Sequence, residues 1–340
     1  NSAVDTSPTL HMTTMDTMSH NFTWQIDTLG VTSSVLYDVA IINDTLAYAV
    51  GEMYLRDSAG QIDPQVYNMA KWNGVSWQLM RIQFYTICGQ ASRTPYPASA
   101  VFAFSPTDIW IAMRGDQVAR WNGSGQTATM CLPVSFTINK LWGESSNSVY
   151  AVGNAGNIMH YNGSAWQRVE SGTTIEISDI YGSKNPRTDS LEILAVAGNP
   201  FVDPQRKILQ INGSTVIALS DNGITRALSG IWFAPGKRYW VVGDGLWYSN
   251  SSSNSFNWQN KSGVWTPFHL TKVRGNDVND VFMVGSYSEV LHFNGVTPKS
   301  LRGPTGTDGL YWSVAVKGDQ IMAVGQAPPR AVVLRGMHIR

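Results

Sequence analysis

Three observations predict that the 340 residues form an all-β protein, a seven-bladed β-propeller. A core of aromatic or aliphatic, small, Val, Gly recurs seven times. The copies follow one another at about 40–45 residues, with one longer interval after the first, a spacing typical of propeller blades. In five copies an Asn-Gly pair falls at the same place, and Asn-Gly is the strongest short hairpin signal.

The copies are Tyr48-Ala49-Val50-Gly51, Trp110-Ile111-Ala112-Met113, Tyr150-Ala151-Val152-Gly153, Leu194-Ala195-Val196-Ala197-Gly198, Trp240-Val241-Val242-Gly243, Phe282-Met283-Val284-Gly285 and Met322-Ala323-Val324-Gly325. Each is the second strand of its blade. An apolar first strand precedes it, as in Lys140-Leu141-Trp142-Gly143 or Asp179-Ile180-Tyr181-Gly182, and a polar turn joins the two. The third strand ends on an apolar residue before Asn-Gly, at Trp72, Trp121, Tyr161, Ile211 and Phe293. A two-residue type I′ turn is expected there, with both Asn and Gly at positive φ. A fourth strand follows, often opened by Trp, as at Trp77, Trp166 and Trp265. Four antiparallel strands of about five residues fill the period and leave no room for helices.

The seventh copy lacks a fourth strand. The N-terminal stretch Trp24-Gln25-Ile26 matches Trp77-Gln78-Leu79 and has no blade of its own. The ring is therefore expected to close by pairing this N-terminal strand with the C-terminal blade, which removes an exposed edge and ties the ends together. Residues 20–340 form one propeller domain on this reading. Residues 1–19, rich in Ser, Thr and Met without periodicity, read as a flexible leader.

Lys and Arg number 24 against 24 Asp and Glu, so the chain has no net charge with which to bind nucleic acid. It has no apolar run long enough to span a membrane as a helix. No Cys-x-x-Cys pair, His-Glu-x-x-His, Gly-x-Ser-x-Gly or phosphate loop occurs, so no metal, cofactor or catalytic residue is expected. His160 and His292 occupy matching repeat positions and read as structural, while His269 and His338 stand isolated.

Residues 149–166, VYAVGNAGNIMHYNGSAW, match the pattern V-Y-A-V-G-x-x-G-x-I-x-H-Y-N-G-x-x-W almost throughout. The chain thus resembles the propeller-repeat proteins exported by bacteria. The resemblance covers residues 20–340 and implies the fold; many such proteins have no known activity.

Propeller function sits on loops around the channel mouth. Second-to-third-strand loops and blade-to-blade connections share one face, and the long insertions concentrate on it. They carry Tyr54, Arg56, Asp57 and Asp63 in blade 1, Arg93 and Tyr96 between blades 1 and 2, Phe201, Asp203 and Arg206 in blade 4, and Arg330 in blade 7. Blades 7, 1 and 2 are neighbours in a closed ring, so their insertions form the candidate binding face. A second set lies on the innermost strands. The position before the recurring aliphatic residue is Asp38, Ala100, Lys140, Asp179, Gly230, Lys272 and Ser313. Its charges, Asp38, Lys140, Asp179 and Lys272, are expected to pair between blades, because an unpaired buried charge is costly. Cys88 and Cys131 fall near the outer parts of blades 1 and 2, and a bridge between them suits an oxidising compartment.

The expected function is a non-catalytic binding or assembly module of a secreted or surface protein, extracellular, periplasmic or on the cell surface, holding a protein or glycan partner on its loop-rich face. The alternative is a polysaccharide hydrolase or lyase at the channel mouth, which needs paired carboxylates and an aromatic platform.

Overall fold

A computed structural model describes residues 16–199, 205–250, 256–302 and 309–339. Seven four-stranded antiparallel sheets form the ring. Their innermost strands, from blade 1 to blade 7, are Val35–Asn43, Ala98–Ser105, Ile138–Ser145, Ile177–Lys184, Leu228–Ala234, Leu270–Asp277 and Leu310–Lys317. Each touches the next, and the seventh returns to the first, so they enclose a central channel.

The ring closes as the sequence requires. Phe22–Leu29 pairs antiparallel with Arg330–His338, with Trp24 opposite Gly336 and Ile26 opposite Leu334, and becomes the outer strand of blade 7. Ser19 Oγ lies 2.8 Å from His338 Nε2, and the carbonyls of Asp16 and Met18 accept from Asn279 and Asn294 of blade 6. The expected flexible leader lies in part, residues 1–15, outside the described residues.

The second strands are apolar on both faces because each blade packs on two neighbours. Ala47 and Ala49 face blade 7, while Tyr48 and Val50, on the other side of the pleat, face blade 2. Seven hydrophobic clusters fill the seven gaps between blades in this way. This is the physical origin of a chain with only 14% charged residues.

Three local expectations are corrected. At the turns after the third strands of blades 1, 2, 3 and 6, the flanking pairs are Trp72 with Trp77, Trp121 with Gln126, Tyr161 with Trp166 and Phe293 with Pro298. The loops are therefore longer than a two-residue turn, and only their glycines, such as Gly74 and Gly163, have positive φ. The Asn side chain explains the difference. Asn73 Oδ1 accepts from the N–H groups of Val75 and Ser76 at 2.9 and 2.8 Å, closing a side-chain turn that needs no positive φ at Asn. In blade 5 the outer strand is Gln259–Asn260 and does not begin at Trp265, whose ring packs on Trp240, Tyr248 and Phe293. Finally, His269 and His338 are not isolated: His269 Nδ1 is 2.7 Å from Asp244, and His338 meets Ser19.

The inner strands share one irregularity. Pairing with the second strand jumps from Leu36 to Asp38, Ala98 to Ala100, Ile138 to Lys140, Ile177 to Asp179, Leu228 to Gly230, Leu270 to Lys272 and Tyr311 to Ser313. Each blade thus carries a β-bulge at the same height. The recurring Gly lies against it. A Cβ on Gly153 would sit 1.9 Å from the Thr137 carbonyl oxygen, so only glycine lets the strands approach there.

Candidate functional site

The bulges build the channel mouth. The extra residue in each is Tyr37, Ser99, Asn139, Ser178, Ser229, Thr271 or Trp312, and all seven line a cavity of about 420 Å³. That volume falls in the range of small-ligand sites. The mouth opens on the face of the second-to-third-strand loops, since Arg114 from such a loop and Gln326 near the end of its second strand also line it.

Five of the seven bulge residues are small and polar. The two large ones sit on adjacent blades. Tyr37 and Trp312 place their ring centroids 6.4 Å apart, and Trp312 is 38% exposed. Arg114 stacks 5.1 Å over the Tyr37 ring and donates to its hydroxyl at 2.9 Å. The hydroxyl donates in turn to Glu52. Burial and the Glu52 carboxylate push the Tyr37 phenol up to about 12, so it stays a neutral donor. The result is a braced aromatic wall on blades 7, 1 and 2.

The floor is a charged layer. Asp38 accepts from Lys140 Nζ at 2.6 Å on both oxygens, from Ser313 Oγ at 2.7 Å and from the Val101 N–H at 3.0 Å. Asp179 accepts from Arg274 at 2.7 and 2.8 Å and from the Ile231 N–H at 3.0 Å, with Lys272 Nζ 3.4 Å away. Each pair skips a blade, from 1 to 3 and from 4 to 6. The intervening blades carry the small Ala100 and Gly230, which let the aspartates reach the next backbone N–H. Burial alone would raise the Asp179 carboxyl, but Arg274 and Lys272 hold it well below the usual carboxylate range. Burial pulls Lys272 down to about 8, against the attraction of Asp179. Below this layer a second cavity of about 270 Å³ is lined by apolar and aromatic side chains, among them Trp142, Tyr181 and Trp232.

Asp38 and Glu176 are the carboxylates lining the mouth. Asp38 is engaged as above, and Glu176 accepts from Asn139 Nδ2 at 2.8 Å. At the rim the imidazole of His269 is held by Asp244. Among the described residues no group of three or more His, Cys, Asp or Glu is placed to hold a metal ion.

Among the described residues, the loop residues singled out from the sequence lie off this cavity, and most have local partners. Tyr54 N–H donates to Ser34, Arg56 to the Gly60 carbonyl, and Asp57 accepts from Ala59 and Gln61. Asp63 pairs with Arg81, Arg93 stacks 4.3 Å over Tyr85, and Arg206 pairs with Asp221 at 2.9 Å. Tyr96 packs into the cluster between blades 1 and 2, and Arg330 is exposed. Phe201 and Asp203 lie outside the described residues. Cys88 and Cys131 form a disulfide that ties the Phe84–Tyr85 and Arg93–Thr94 hairpin to the outer strand of blade 2.

Sequence reasoning missed Tyr37, Trp312, Arg114 and Arg274. The first two stand one residue before the inner charge positions already aligned, so a second column of the same alignment contains them.

The chain is similar in structure to YCF48 bound to D1 peptide, at 15% identity and a TM-score of 0.67, over 95% of this chain and 99% of that one. YCF48 from Cyanidioschyzon merolae gives 15% and 0.64 over 93% and 98%. Virginiamycin B lyase from Staphylococcus aureus gives 10% and 0.64 over 94% and 100%. At such identities the likeness shows the fold. No protein-family model and no curated protein matches the chain.

Proposed function

We propose that this propeller is a binding module of a secreted or surface protein that holds an extended protein segment at its channel mouth. The carrying observation is the wall of Tyr37 and Trp312, braced by Arg114, beside a cavity otherwise lined by small polar bulge residues. Aromatic residues and Arg, set in a concave and partly dry site, supply most of the energy in protein recognition. A similar fold, YCF48, is described bound to a peptide, which supports the same reading here. The Cys88–Cys131 disulfide supports an oxidising compartment. The propeller-repeat proteins exported by bacteria remain the family this reading favours.

Peptides selected from a displayed random library on the wild-type protein test the site. Trp312→Ala should weaken them by roughly thirtyfold or more, the scale of a hot-spot residue, with little change in melting temperature. Unchanged binding by Trp312→Ala, with loss on replacing Arg56, Arg93 and Arg330, would move the site to the outer loops.

His269, oriented by Asp244 at the rim, favours a second reading, acid–base chemistry on a polysaccharide. The carboxylates of the mouth argue against it, because Asp38 is neutralised by Lys140. Release of reducing ends or unsaturated products from acidic polysaccharides, lost in His269→Ala, would favour this second reading.

A further inference from the structure

The charged floor is unbalanced. It holds three cations, Lys140, Lys272 and Arg274, against two acids, Asp38 and Asp179. Arg274 takes both oxygens of Asp179 and also donates to the carbonyls of Ile231 and Val273. Lys272 is left at 3.4 Å from Asp179 and 3.3 Å from the Ser178 carbonyl, both long for an ammonium. Its side chain is only 9% exposed, and that small exposure faces the mouth, where Lys140 also lies. Buried charge without a full partner is costly, and an anion entering from above relieves it.

From this imbalance we propose that the floor of the mouth is a carboxylate receptor, in which Lys272, with Lys140 beside it, takes the carboxylate of a bound peptide. This rests on the peptide-binding reading above. The aromatic wall holds the adjoining segment, and the hydroxyls of Ser178 and Ser229 line the approach. Glu176 is the acid on the rim, and its bond from Asn139 keeps it directed to the wall of blade 3. A charged layer closes the cavity below, so the site suits a chain end or a short acidic side chain rather than a chain passing through.

The test uses the intact protein and random hexapeptides prepared as free acids, C-terminal amides and full methyl esters, with retention read by mass spectrometry. Free acids should be retained and full esters lost. Retention of amides that contain Asp or Glu assigns the carboxylate to a side chain; loss of all amides assigns it to the C-terminus. Either supports the receptor. Lys272→Met should weaken retained acids roughly ten- to a hundredfold, as for loss of a charged hydrogen bond, and Lys272→Arg should restore part of it. Equal retention of acids and esters overturns the carboxylate receptor while leaving peptide binding intact. No retention of any peptide overturns the binding reading as well. The acid–ester comparison needs no variant, so it decides the matter even if Lys272→Met does not fold.

Discussion

The two halves of the channel layer use one plan and reach different outcomes. In blades 1 to 3, Asp38 reaches over Ala100 to the Val101 N–H and meets Lys140 at 2.6 Å. In blades 4 to 6, Asp179 reaches over Gly230 to the Ile231 N–H, but Arg274 has taken its oxygens and Lys272 stands at 3.4 Å. The first cluster is a closed pair, capped by the Ser313 hydroxyl. The second carries a surplus cation. The equivalent of Arg274 in blade 3 is Trp142, which lines the lower cavity without a charge. One substitution in a repeat column thus turns a structural ion pair into a site with unsatisfied charge.

The largest expected effect comes from removing the acids. Asp179→Asn strands two buried cations and should cost about 3–5 kcal/mol in urea unfolding, the scale of a broken buried pair. Asp38→Asn strands only Lys140 and should cost less. Equal losses would break the distinction between the clusters.

A smaller effect is expected from Arg274→Met. Lys272 then becomes the sole cationic partner of Asp179, as Lys140 is for Asp38, and the apolar replacement suits the lower cavity. The loss should be under half that of Asp179→Asn. A loss as large as that of Asp179→Asn would show that Arg274 is the essential partner and Lys272 no surplus.

The smallest effect is a pH dependence. The folded state holds Lys272 at about 8, below its ordinary 10.5, so between these values the unfolded chain binds more protons. Stability from this group therefore rises as pH climbs above 8 and is lost as pH falls back through it. The difference in unfolding free energy between wild type and Lys272→Met, followed from pH 7 to 10, should increase with pH. A flat difference would place Lys272 in an ordinary, fully satisfied pair. The comparison cancels the opposite contribution of Tyr239, which burial raises and which both proteins share.

The legible part of the molecule is the part made by local rules. Gly153 and its counterparts, the apolar second strands and the orphan Trp24-Gln25-Ile26 strand each follow from strand period, close backbone approach or an unpaired edge. The inner charges were legible as a column, and pairing between blades is close for Asp38 with Lys140, whereas Asp179 is held first by Arg274 and only at 3.4 Å by Lys272. Arg274 was not, because its role depends on Asp179, 95 residues away. Nor were Tyr37 and Trp312. A bulge turns their side chains to the mouth, and no short-range pattern announces a bulge when the strand on either side reads as regular. The loop residues Arg56, Asp57 and Arg93 drew attention because they are polar and lie in insertions, yet each serves its own loop.

The number of blades, the order of strands and the closure of the ring are written in the repeat. Those depend on hydrogen bonds and burial between segments that repeat, so the period carries them. Tertiary structure alone decided which residues meet at the axis. Seven inner strands converge there from across the whole chain, and Asp38 meets Lys140 across 102 residues. Side chains within a few ångströms then compete for the same oxygens. Which cation wins is set by distance and desolvation in the assembled channel.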